Sequence, residues 1–173
     1  MSTIEVDLKK QVNVKKVVKA VKNIGEFALY SKSEDCNLLV TRYFILNLTE
    51  EQFWEAQCAL LAKRTGVWFT ICKEGLIEGK SIDEDRTGID LYFRTVNNSF
   101  AEIIGYTELI LNGVMLYAGE EKYIGIKESY IEMLGGLSAI KKARNSSVVI
   151  ASDFHLLTIV DKAESQYLAP LLF

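Results

Sequence analysis

Asn112-Gly113 stands between two apolar runs, residues 100–111 and 114–117, and no other pair in this chain restricts the fold so sharply. Both central positions of a type I′ hairpin turn need positive φ, which asparagine tolerates and glycine adopts freely. The flanking runs should therefore fold back on each other as antiparallel strands. The same punctuation recurs along the chain. Ser33-Glu34-Asp35 separates residues 26–31 from 37–47, and Ala151-Ser152-Asp153 separates 148–150 from 154–160, so each pair reads as a hairpin. Ile4, Val6 and Leu8 alternate with charged residues, as do Ile89, Leu91 and Phe93, which is the period of a half-buried strand. Residues 67–72 are apolar, aromatic and β-branched and suit an interior strand, whereas the polar stretch 75–88 reads as the longest loop.

Helical signals interrupt the strands. From Asn13 the apolar period shifts from two to three and four, with Val14, Val17, Val18, Val21 and Ile24 on one side. Asn13 can cap the start and Gly25 the end. Thr49-Glu50-Glu51-Gln52 has capping-box spacing, and Phe53, Trp54, Ala56, Cys58, Leu60 and Leu61 supply an apolar side to the helix it opens, with Gly66 beyond it. Leu48 can staple onto Phe53. Ser129 opens a shorter helix reaching Leu134, and residues 137–144 read as a further helical turn or two. The total is about eight or nine strands and three or four helices. Because hairpin signals outnumber alternating strand–helix units, the expected fold class is α+β: a mainly antiparallel twisted sheet with two to four helices packed on it, one domain over residues 1–173.

Composition bounds the setting. Nearly half the residues are apolar and only one is proline, enough to fill a core. The N-terminal stretch is charged where a secretory signal would be apolar, and no run of about 18 uncharged apolar residues occurs. A soluble, cytoplasmic protein without membrane association is the expectation. Cys36, Cys58 and Cys72 are odd in number and widely spaced beside a single histidine, so a zinc site and a disulfide framework are not expected. They read as small buried hydrophobes in a reducing compartment, and no cofactor is implied.

Charge is unevenly spread. Residues 1–22 carry +4 and the rest −7. Lys15, Lys16, Lys19 and Lys22 fall on the outer side of the first helix, where they could meet an anionic partner. An acidic body, without arginine or aromatic residues among these lysines, makes nucleic-acid binding a conceivable but not the favoured use. Asp83, Asp85 and Asp90 line an acidic loop with EF-hand-like spacing, but Arg94 stands where a bidentate glutamate is required. Only a weaker Mg²⁺ site is conceivable there. His155 and Asp153 would share one face of a strand, so the carboxylate could orient the imidazole as a general base. No nucleophile signature accompanies the pair, and phosphate-loop, dinucleotide and zinc-protease motifs are absent. Trp54, Trp68, Phe69, Tyr92 and Phe93 read as core aromatics, with a ligand pocket or partner patch as their alternative use.

The tail Tyr167-Leu-Ala-Pro170 resembles the last strand of DNA sliding clamps, which end in a tyrosine or apolar residue followed by a proline-containing apolar strand. The resemblance spans only the last seven or so residues, and no internal repeat of the clamp kind is present. It implies a replication-accessory role as an alternative. The leading expectation is a small non-enzymatic protein acting through protein contacts, as a regulatory, inhibitory or accessory factor, with a protein partner or self-association. An enzyme using His155 stands third.

Overall fold

Turn residues and apolar alternation resolve into local elements in the computed structural model, which describes residues 12–34, 36–82, 100–102, 105–118, 123–133, 139–143, 148–151 and 156–159. Three helices occur among them: α1 (Val14–Ile24), α2 (Glu50–Leu60) and α3 (Glu128–Met133). The strands are β1 (Glu26–Ser33), β2 (Cys36–Val40), β3 (Phe44–Leu48), β4 (Val67–Cys72), β5 (Gly75–Ser81), β6 (Phe100–Glu102), β7 (Gly105–Leu111), β8 (Val114–Ala118), β9 (Tyr123–Lys127), β10 (Ala139–Ala143), β11 (Val148–Ala151) and β12 (Leu156–Ile159). Every ladder among the described residues is antiparallel, and the fold is α+β. One sheet of nine strands runs β5-β4-β1-β2-β3-β12-β11-β10-β6, and β7-β8-β9 form a separate meander. Leu46 opposite Leu157 joins β3 to β12, strands far apart in the chain.

The helices lie against one face of the large sheet. Asn13 caps α1, its side chain accepting from the Lys16 N–H at 3.2 Å, and Gly25 ends it at φ 87°. Val14, Val17, Val18 and Val21 turn inward from α1, and Phe53, Ala56 and Leu60 from α2. They meet Phe27, Leu29, Leu39, Phe44, Leu46 and Phe69 in one apolar core, where the Phe27 and Phe69 rings stack at 5.5 Å. The opposite face is apolar too: Ala28, Leu38, Val40 and Ile45 are buried, with Trp68 and Ile82 half-buried beside them. Burial on both faces explains why β2 and β3 read as continuous apolar runs rather than alternating ones. The third helix ties the meander to this body. Its Glu128 N–H donates to the Gly113 carbonyl, the Asn13 N–H donates to its Met133 carbonyl, each at 2.8 Å, and Tyr130 meets Phe44 edge to face.

Several elements differ from their sequence reading. Residues 37–47 form two strands, not one, because the Thr41 hydroxyl accepts from the Tyr43 and Phe44 N–H groups and closes a turn inside the run. Residues 75–81, read as loop, form β5, paired to β4 with Ile77 opposite Thr70. Residues 139–143, read as helical, form β10, held between β11 and β6, so ladder bonds outweigh the helix propensity of Ala-Ile-Lys-Lys-Ala. α2 stops at Leu60, well short of Gly66, with Leu61 left-handed at φ 57°. The Asn112-Gly113 turn is as expected, with φ 51° and 76° and Leu111 opposite Val114. The expected strands over residues 4–8 and 89–96 and the apolar tail 167–173 lie outside the described residues.

Candidate functional site

Two helices side by side on one sheet face present two outer surfaces of opposite charge. On α1 the inward valines leave Lys15, Lys16, Lys19 and Lys22 exposed, as the 3.6-residue period requires. Lys16 lies 3.7 Å from Glu132 of α3, and both side chains are half exposed. On α2 the exposed residues are Glu50, Glu51, Trp54, Glu55, Cys58 and Ala59. Thr49 and Gln52 form the reciprocal capping box, the Thr49 hydroxyl accepting from the Gln52 N–H and the Gln52 side chain from the Thr49 N–H. Glu50 and Glu51 then occupy the first turn, where the helix dipole favours anions.

Trp54 is the outlier of the face. It is 66% exposed, and Leu61, seven residues on, is 78% exposed. With Cys58 between them, at steps of four and three, they form an apolar stripe along the side of α2 that faces away from Phe53, Ala56 and Leu60. This corrects the sequence reading, which placed Trp54, Cys58 and Leu61 on the buried side. Two apolar sides on a short helix blur the periodicity, and only the geometry of the neighbouring strands decides which side turns inward.

Beside the stripe, a groove of about 1170 Å³ opens between the start of α1 and the first turns of α2. Val12, Val14, Phe53 and Trp54 give it apolar wall, and Lys15, Glu51 and Glu55 stand at it with opposite charges. Among the lining residues Asn37 is polar and only 4% exposed. The Ser31 hydroxyl donates to its Oδ1 at 2.8 Å, its Nδ2 donates to the Glu34 carbonyl at 2.9 Å, and its N–H donates to Asn47 Oδ1 at 3.3 Å. Asn37 thus locks the β1–β2 turn against β3.

The cysteines also depart from expectation: all are free, Cys58 and Cys72 are exposed and Cys36 is half-buried. Burial pushes the Cys36 thiol above its ordinary pKa, a shift that nearby Lys32 partly opposes. Phe69 is in the core, and Trp68 is half-buried on the opposite sheet face. Among the described residues no three His, Cys, Asp or Glu side chains converge on a point that could hold a metal. His155 and Asp153, the acidic residues Asp83, Asp85 and Asp90, and Tyr92 and Phe93 lie outside the described residues. No helix among the described residues is long and apolar enough to cross a membrane. Comparison of the chain with protein-family models, curated proteins and solved structures finds no match.

Proposed function

We propose that this chain is a non-enzymatic accessory or regulatory protein that works through protein contacts, and that the outer side of α2 is its contact surface. The observation that carries this reading is Trp54, held 66% exposed on a well-capped helix. A rigid tryptophan costs little conformational entropy to immobilise and has a large apolar surface, which makes it a frequent anchor of interfaces. Covering Trp54 and Leu61 contributes roughly 3–6 kcal/mol before the costs of association. The test is affinity capture from native lysate with the wild type and with Trp54→Asp. A specific partner lost on substitution supports the reading, and identical captures with both proteins dispose of it.

A second reading, DNA-associated or replication-accessory binding of the sliding-clamp kind, draws on the exposed row Lys15, Lys16, Lys19 and Lys22. Four phosphate contacts give a salt slope of about −3 to −4 in log K against log salt. Duplex binding that loses this slope when the four lysines become glutamine supports it, and unchanged binding removes it.

A further inference from the structure

The outer face described above is cationic on one helix and anionic on its neighbour, and this fits one partner in particular. Lys15, Lys19 and Lys22 form no ion pair among the described residues, and neither do Glu50, Glu51 and Glu55. Lys15 of α1 lines the same groove as Glu51, Trp54 and Glu55 of α2, so the cationic and anionic surfaces adjoin there. We infer that this face pairs with a second copy of the chain, α1 of each copy lying on α2 of the other. The inference rests on the reading of α2 as a protein-contact surface.

Symmetry makes the assignment specific. A two-fold axis running along the groove between the helices carries the lysines of one copy over the glutamates and Trp54 of the next, and the reverse contact follows automatically. An axis across the helices sets lysine on lysine and is repelled. Lysine stems can lie along the Trp54 ring while the ammonium groups reach Glu51 and Glu55, and cation–π attraction to the indole adds to the ion pairs. Each helix is about 16 Å long, so the contact is smaller than the ~800 Å² per partner of a standard interface. The dimer is therefore weak and sensitive to salt.

Sedimentation of the full chain tests this at about 50 mM and about 500 mM salt, where the screening lengths differ roughly threefold. The wild type should dimerise at low salt and dissociate at high salt. Lys15→Glu with Lys19→Glu should be monomeric, as should Glu51→Lys with Glu55→Lys, each retaining the wild-type circular dichroism because the residues are exposed, while Glu51→Lys, set against the dipole of α2, should slightly lower the melting transition. Mixed in equal amounts, the two variants should form a heterodimer. A wild type that stays monomeric at low salt overturns the inference, as does a mixture of the reversed variants that stays unpaired. A monomer that binds duplex DNA through the lysines, unaffected by the glutamate reversals, overturns it as well. If the monomer still captures another protein through Trp54, the proposed function stands while the second copy is eliminated as the partner.

Discussion

Leu61 carries two unfavourable features at once. It is 78% exposed, and its backbone is left-handed at φ 57°, a conformation that costs a residue with a Cβ roughly 1–2 kcal/mol. Glycine is the usual solution at the end of a helix. Leu61→Gly should therefore stabilise the protein by about 0.5–1 kcal/mol in urea unfolding while weakening whatever contact the leucine makes. Gly25, at φ 87° with open space around it, gives the reverse expectation: Gly25→Ala should lose about 1 kcal/mol through backbone strain alone. The thiols offer a second check at this scale. Since burial raises the Cys36 pKa, less of it is thiolate at neutral pH, so iodoacetamide followed by mass spectrometry should modify Cys58 and Cys72 well before Cys36.

Among the elements, α2 depends most on its first turn. Its Thr49–Gln52 box satisfies two backbone N–H groups that the helix itself leaves unpaired. Thr49→Ala should cost about 1 kcal/mol, measurable as a lowered urea midpoint, and should loosen Trp54 one turn away. These caps were legible in the sequence because they are local: Asn13, Gly25, Thr49 and Asn112-Gly113 act within a few residues of themselves. β5 and β10 were not, since their polar or helix-favouring residues become strands only through ladder bonds from other strands: β4, just across Lys73-Glu74, for β5, and β11 together with the much earlier β6 for β10. The outward position of Trp54 was hidden for the same reason. An aromatic residue between Phe53 and Glu55 fits either side of a helix, and the choice falls to Phe53, whose ring finds the core. The lysine row needed no such help, since the inward valines leave it only one direction to point.

At the scale of the molecule, the described ion pairs, Lys16–Glu132, Arg42–Glu26 and Arg64–Glu78, join exposed side chains and contribute little each. The apolar core carries the stability instead. Phe44→Ala should cost about 3–5 kcal/mol, because its fully buried ring touches both the helix core and Tyr130 of α3, whereas Trp54→Ala should leave unfolding by urea nearly unchanged.

The bond from the Asn13 N–H to the Met133 carbonyl fastens the leading end of the lysine helix to the far end of α3, which in turn hangs from the Asn112-Gly113 hairpin through Glu128. A load placed on that helix is thus shared with a hairpin nearly a hundred residues further along the chain. Anything that grips the lysines should slow amide exchange in β8 and β9 without touching either, a change that hydrogen-exchange measurements would read.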